Sequence, residues 1–135
     1  MNDTEVTNIA LIRAYLDALS RGTCGNQLAH FFAEDVLQIE FPNRLSPKDG
    51  ESDLGRMLAR SIEGQRILRT QQFEIRSEIA RDERVAVEAG WTGVLAVDVG
   101  SLRAGMEMKA ALAMFFEIRE GRIRRQHNYD CFEPW

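Results

Sequence analysis

One long hairpin near the end of the chain constrains the fold more than any other stretch. Apolar residues alternate with other types from Met106 to Arg119, and Glu120-Gly121 then offers a two-residue turn. One face of this stretch is entirely apolar and consists of Met106, Met108, Ala110, Leu112, Met114, Phe116 and Ile118. A period of two is typical of a strand that buries one face, and a tight turn returns the chain as its antiparallel partner. The turn would pair Ile118 with Ile123, so Gly121–Trp135 is predicted to be the closing strand.

The phase of this closing strand decides which of its side chains face the interior. Strict alternation from Ile123 sends Arg125, His127 and Tyr129 inward, where an arginine needs an acidic partner because an unpaired buried charge is costly. A β-bulge near residues 124–126 would shift the phase by one residue. The inward side chains would then be Gln126, Asn128, Asp130 and Phe132. Both phases stay open, and we favour the bulge because bulges are common in curved sheets and beside active sites.

The rest of the chain predicts helices first and strands later. Residues 4–20 have apolar residues at helical spacing, with Thr4 as a candidate cap and Gly22 at the end. The other predicted elements are a short helix from Gly25 to Phe32, a strand Val36–Phe41, a loop Asn43–Glu51, a helix Ser52–Leu68 and strands Gln71–Ala80 and Val85–Val97. Gly90 and Gly93 inside the last of these indicate sharp curvature or a close backbone approach. The pattern predicts an α+β fold, a cone in which a curved antiparallel sheet wraps around the N-terminal helices, as one domain over residues 1–135.

Three polar side chains lie on faces that could enclose a cavity. The strand Val36–Phe41 has one apolar face, and its other face carries Gln38 and Glu40, which therefore point either to solvent or into a polar cavity. Tyr15 flanks the apolar stripe of the first helix, so its ring is expected to be buried and its hydroxyl to need a partner. That partner is either backbone, as in an ordinary core tyrosine, or a bound molecule.

Charge and hydropathy argue against two classes of partner. The formal net charge is −4, which does not favour binding to nucleic acid or to an anionic membrane. The one basic cluster, Arg122, Arg124 and Arg125, fits a solvated hairpin face better than an anion contact. No apolar run approaches ~18 residues and no signal-peptide core follows Met1, so we expect a cytoplasmic protein.

The cysteines and histidines do not suggest a metal site. Cys24 and Cys131 fit no CxxC pattern and are expected to be reduced thiols. His30 and His127 are the only histidines, and neither belongs to a cluster with ligand spacing. No metal and no cofactor is therefore expected.

Four features together resemble the nuclear transport factor 2-like superfamily. They are the helical opening with Tyr15, the segment FFAEDV (Phe31–Val36), the turn EGRI (Glu120–Ile123) and the closing HNYDCF (His127–Phe132). This superfamily includes the SnoaL-like polyketide cyclases, the ketosteroid isomerases and the limonene epoxide hydrolases. The resemblance covers nearly the whole chain and implies the same cone-shaped fold. It implies much less about chemistry, since one fold hosts many functions.

The resemblance to ketosteroid isomerases assigns roles to particular positions. Glu40 falls where those enzymes have their general-base aspartate, and Tyr15 falls where they have the tyrosine that hydrogen-bonds the substrate oxyanion. Met114 stands in place of their second oxyanion donor, a protonated aspartate, so that activity is not expected here. The epoxide hydrolases use charged residues at three positions. This chain has Trp91, Gly93 and Asn128 at the matching positions, and none of them carries the required charge.

Two functions remain open at this point. The first is an isomerase, cyclase or dehydratase that acts on a small hydrophobic carbonyl compound. In this function Glu40 is the base, and Tyr15 and Asn128 bind the enolate oxygen. Asp130, the nearest match to the acid-base aspartate of the cyclases, is the second acid. The expected lining residues are Gln38, Met57, Trp91, Met114, Gln126 and Phe132. The second is a non-catalytic ligand-binding or dimerisation module of the same fold. In both cases a homodimer is expected, because Ala111, Ala113 and Phe115 form an apolar patch on the second face of the sheet.

Overall fold

The computed structural model describes residues 1–135 and shows three helices packed on a six-stranded sheet. The helices are α1 (Asp3–Ser20), a 3-10 helix (Gly25–Phe31) and α2 (Leu54–Ile67). The strands are β1 (Phe32–Glu40), β2 (Gly50–Ser52), β3 (Leu68–Arg81), β4 (Arg84–Leu95), β5 (Glu107–Arg119) and β6 (Arg122–Phe132). No helix is long and apolar enough to cross a membrane.

The sheet has the order β2-β1-β6-β5-β4-β3. Only β1 and β6 run parallel, and every other neighbouring pair is antiparallel. The apolar face of β5 and the buried side of α1 meet in the core, which includes Ile12, Leu16 and the fully buried Ile123. The α+β cone predicted from the sequence is confirmed.

The hairpin between β5 and β6 has the predicted turn and the predicted bulge. Glu120 and Gly121 have φ angles of 52° and 75°, and two successive positive values suit a two-residue turn whose twist matches the strands. Ile118 pairs with Ile123, but Glu117 pairs with Arg125, so one extra residue lies in β6. This bulge turns Gln126 toward the interior, and Gln126 is 2% exposed. The alternative of strict alternation, with Arg125 inside, is wrong.

Several local predictions are corrected by the structure. The cap of α1 is Asn2 rather than Thr4, since the Asn2 side chain accepts from the backbone N–H of Glu5 and the Glu5 side chain accepts from that of Asn2. The short helix is 3-10, and β1 begins at Phe32 rather than Val36. The predicted loop Asn43–Glu51 runs into β2. Local propensity cannot indicate β2, because this strand exists only by pairing with β1.

Gly93 allows a close approach inside β4, as its position in a strand suggested. A Cβ atom at Gly93 would lie 2.5 Å from the indole ring of Trp91. Trp91 can therefore fold over its own strand toward Phe132, with 6.0 Å between the ring centroids in an edge-on arrangement. The glycine thus sets the position of one wall of the interior.

Candidate active site

A cavity of about 420 Å³ lies between the helices and the inner face of the sheet. Fifteen of its 20 lining residues are hydrophobic, so the cavity suits a largely apolar ligand. The polar or ionisable side chains in its wall are Tyr15, Gln38, Gln126, Asn128 and Asp130. They come from α1, β1 and β6, and the bulge in β6 is what brings the last three to the same side.

The structure brings most of the predicted site residues into this cavity. Trp91, Met114 and Phe132 line it together with the five polar residues. Glu40 and Met57 instead line a smaller neighbouring cavity of about 290 Å³. The two cavities share Tyr15, Leu19, Gln38 and Asn128 in their walls. Glu40 is therefore near the larger cavity without being part of its wall.

Asp130 is the acidic group of the larger cavity. Burial raises the pKa of its carboxyl to about 6, and the negative charge of Glu40 contributes to the shift. Both causes disfavour the ionised form. A carboxyl group with such a pKa exchanges its proton readily near neutral pH, which is the property that a general acid or base needs.

Glu40 has a different environment from Asp130. Its Oε2 accepts from Arg60 Nη2 at 2.8 Å, and its Oε1 accepts from Asn43 Nδ2 at 3.2 Å. Arg60 also donates to the buried Ser52 at 3.2 Å. The carboxylate is thus held in place by an arginine on α2 and by the amide of Asn43.

Tyr15 lies in the cavity wall and is otherwise buried among aromatic rings. It is 5% exposed and packs against Phe31, Phe32 and Phe116, with centroids 5.3 to 6.3 Å apart. Burial raises the pKa of its phenol to about 12, and the Gln126 side chain acts in the opposite direction. The hydroxyl is therefore protonated at neutral pH and is able to donate a hydrogen bond.

Gln126 and Asn128 form a connected pair of amides. The Nε2 of Gln126 donates to Asn128 Oδ1 at 3.1 Å. The Oε1 of Gln126 is buried and has no partner in the protein. Since Asn128 Oδ1 is engaged, the amide nitrogen is the group that Asn128 can offer to a ligand.

Aromatic residues close the far side of the cavity. Trp91 donates from Nε1 to Gln71 Oε1 at 2.9 Å, which fixes the indole. Phe132 packs against both Trp91 and Trp135. Trp135 is held outside by Arg44, whose guanidinium lies 4.4 Å from the ring centroid. The C-terminal tryptophan therefore leaves the cavity open.

Sequence reasoning missed the residues that loops contribute to the wall. Leu45 follows β1, while Val99 and Leu102 lie between β4 and β5. Leu102 is 3% exposed. The available signal for these residues was an isolated apolar residue in a loop rich in Gly or Pro. Burial of such a side chain against the domain lowers the free energy of the folded protein.

No group of three or more His, Cys, Asp or Glu side chains is placed to hold a metal ion. Cys24 is half-buried and Cys131 is exposed, and both are free thiols. His30 is exposed and packs against Phe31 with 4.1 Å between ring centroids. The polar groups in the cavity wall are one carboxyl, one phenol and three amides, which belong to Asp130, Tyr15, Gln38, Gln126 and Asn128.

The fold agrees with what family comparison finds. A family model described as SnoaL-like domain matches residues 12–126, so the chain belongs to the SnoaL-like domain family. No curated protein matches the chain.

Solved structures share the whole fold at low sequence identity. AclR, a proposed hydroxylase from Streptomyces galilaeus, has a TM-score of 0.80 at 17% identity, over 96% of this chain and 82% of its own. A proposed polyketide cyclase from Xanthomonas campestris pv. campestris has a TM-score of 0.77 at 23% identity, over 94% of this chain and 92% of its own. IdmH, a proposed polyketide cyclase from Streptomyces antibioticus, has a TM-score of 0.76 at 16% identity, over 91% of both chains. These likenesses establish the cone-shaped fold.

Proposed function

We propose that the protein is an isomerase, cyclase or dehydratase that moves a proton on a small hydrophobic carbonyl compound, with Asp130 as its acid and base. The observation that carries this proposal is a carboxyl group with a pKa of about 6 in the wall of an apolar cavity. Proton transfer of this kind is redox-neutral and needs only positioned acids and bases. The names of the similar structures, two of them proposed polyketide cyclases, support the substrate class.

In this reaction the ionised Asp130 removes a proton from the carbon next to the carbonyl group. The electron pair of the broken C–H bond moves toward the carbonyl oxygen, where negative charge develops. The Tyr15 hydroxyl donates a hydrogen bond to that oxygen, and the raised pKa of Tyr15 keeps it a donor. Protonated Asp130 then returns the proton to a different carbon or to a leaving group.

We assign to Glu40 an electrostatic role in place of the expected role of base. Its carboxylate is bound by Arg60 and lies in the wall of the neighbouring cavity. Asp130, by contrast, lies in the wall of the larger cavity, where burial raises the pKa of its carboxyl. The charge of Glu40 then serves to raise the pKa of Asp130.

The experiment is hydrogen–deuterium exchange at the carbon next to a carbonyl group. β-Tetralone, a fused-ring ketone small enough for the cavity, is incubated in D₂O with the protein, and deuterium incorporation is followed by NMR. We expect exchange above the buffer rate for the wild type and a loss of about 10²-fold or more for Asp130→Asn. Asp17→Asn, which changes an exposed aspartate of α1, is the matched control and should exchange at the wild-type rate.

Binding of β-tetralone without any exchange above buffer would contradict the enzyme proposal. That outcome supports the second function, a non-catalytic module that binds hydrophobic ligands. Met114 favours this alternative, because it pairs with Asn128 in the sheet and offers no second donor to an oxyanion. Calorimetric titration with the same ketone measures binding separately from exchange.

We also propose that the outer face of the sheet binds a second copy of this chain. Phe115 is 50% exposed and Tyr129 is 41% exposed, and their rings contact edge-on at 5.8 Å. Phe41 stacks on Tyr129 at 4.4 Å and extends this apolar surface. A neighbouring groove carries both Glu117 and Arg125, and a surface with both charges can be self-complementary about a two-fold axis.

Sedimentation velocity tests this assembly. We expect a dimer at micromolar concentration and a monomer for Phe115→Glu, which adds a charge to the centre of the apolar surface. Ile79→Glu, at an exposed site on β3 in the same groove, should weaken the dimer less. A wild-type monomer at micromolar concentration would disprove the proposal.

A further inference from the structure

The buried amide of Gln126 has one oxygen without a partner. Oε1 makes no hydrogen bond within the protein, although the residue is 2% exposed and lines the larger cavity. Buried polar atoms without a partner are rare and unfavourable, because they lose their hydrogen bonds to water. A ligand that donates a hydrogen bond to Oε1 removes this penalty.

The surroundings of Gln126 fix the direction of its amide. Its Nε2 donates to Asn128 Oδ1. Gln126 and Tyr15 both line the larger cavity. The contact with Asn128 turns the nitrogen of Gln126 toward Asn128 and leaves its oxygen as the unpartnered atom.

The geometry points to Gln126 as the residue that selects a hydroxyl group over a carbonyl group in the ligand. A ligand enol or phenol can donate its O–H to Gln126 Oε1 while its oxygen accepts from the Tyr15 hydroxyl. A ketone can accept from Tyr15 but has no proton for Oε1. The ligand class is therefore a flat, apolar molecule that carries an enolic or phenolic hydroxyl at its buried end.

This selection deepens the proposed function and rests on it for its catalytic meaning. The enol is an isomer of the ketone in which one proton has moved from carbon to oxygen. A site that binds the enol more tightly than the ketone favours the species formed along the reaction. Gln126 would thus contribute to catalysis through an interaction that the starting ketone lacks.

The test compares ligands of one ring system that differ at the oxygen. Calorimetric titration measures the Kd of β-naphthol, which has the O–H, and of methyl β-naphthyl ether, which keeps the oxygen but has no proton to donate. We expect wild-type protein to bind β-naphthol about tenfold or more tightly than the ether. In Gln126→Met, which removes the amide at similar volume, the ratio should fall to about threefold or less. Gln27→Met, at an exposed position of the 3-10 helix, should keep the wild-type ratio.

Equal affinity of the wild type for the two ligands would overturn the inference, and this result does not depend on whether Gln126→Met folds. An unchanged ratio in a folded Gln126→Met would overturn it as well. The result is separable from the proposed function, because no turnover is measured. A preference for β-naphthol without deuterium exchange would support the role of Gln126 and contradict the proposed enzyme activity. Deuterium exchange without the preference would support the enzyme activity and contradict the role of Gln126.

Discussion

Glu40 raises the pKa of Asp130 across the parallel pair of strands β1 and β6. Glu40 pairs with Asn128 in the register, and Asp130 lies two residues further along β6 on the same face. Arg60 binds Glu40 at 2.8 Å, while Asp130 has no cation beside it in the cavity wall. The two carboxyl groups therefore differ in environment, since Glu40 is bound by an arginine and the pKa of Asp130 is raised by burial.

The proposed exchange reaction should depend on pH through Asp130. Its ionised form is the base, so the rate should rise with pH, reach half its maximum near pH 6 and remain level above about pH 7. Initial rates of deuterium incorporation into β-tetralone measured across this range check the prediction. A midpoint near pH 4, where an ordinary aspartate titrates, would show that the pKa of Asp130 is not raised.

Removing the charge of Glu40 should lower the pKa of Asp130, and removing its partner should raise it. Glu40→Gln eliminates the repulsion, although burial, the larger cause, remains, so the pKa stays above its ordinary value. Arg60→Gln frees the Glu40 carboxylate from its ion pair and increases the repulsion. The midpoint of the pH–rate curve should move down for the first variant and up for the second.

One result would contradict this electrostatic link. Movement of both midpoints in the same direction would show a structural effect of either substitution. Arg56→Gln, at an exposed position on the same helix, is the control and should leave the midpoint where it is in the wild type.

Asp130→Asn should stabilise the fold at neutral pH. The folded pKa of about 6 lies above the ordinary value of 3.8, so the folded state binds the proton more tightly than the unfolded state does. The stabilising contribution is complete below about pH 4 and is lost as the pH rises to about 6. The variant does not titrate there and should be more stable than the wild type above pH 6, by up to ~3 kcal/mol.

Urea unfolding at pH 4 and at pH 7 measures this difference. At pH 4 the two proteins should be nearly equal, since Asp130 is protonated in the folded protein. A variant that is less stable at pH 7 would show that the Asp130 carboxylate has a stabilising partner.

Gly93→Ala should deform the cavity by moving Trp91. The added methyl group would lie 2.5 Å from the indole ring, so the ring or the strand must shift, at a cost of about 1–3 kcal/mol. Thermal unfolding should show the loss, and titration with β-naphthol should show weaker binding. Gly55→Ala is the matched control, because its Cβ position on α2 has only an ordinary contact, 3.7 Å to Asp53 Oδ1, and the residue does not line the cavity. It should stabilise the protein by up to about 1 kcal/mol.

The bulge in β6 shows how far the sequence could be used. A buried arginine is costly in an apolar interior, and bulges are common in curved sheets and beside active sites. These two arguments favoured Gln126, Asn128 and Asp130 on the inner face. The structure confirms the phase, because Arg125 and His127 line the outer groove instead. The sequence could not show that Asp130 would have the more perturbed carboxyl, since that depends on burial and on the position of Glu40.

Glu40 shows what the sequence could not predict. Alternation in β1 placed it on the same face as Gln38, and the resemblance made it the expected base. The arginine that binds it lies 20 residues away on α2, and nothing in local spacing indicates that α2 packs with Arg60 over the end of β1. Pairing between distant side chains is decided by packing.

By itself, the sequence determined the α+β cone and the closing hairpin, because hydrophobic period and turn chemistry are local properties. It favoured the bulged phase of β6 without excluding strict alternation. The tertiary structure alone decided which carboxyl group enters the larger cavity and which is held by an arginine. It also left Gln126 Oε1 without a partner beside Tyr15. These features arise where α1, α2, β1 and β6 meet, and the energies of burial and charge that define them exist only after the chain has packed.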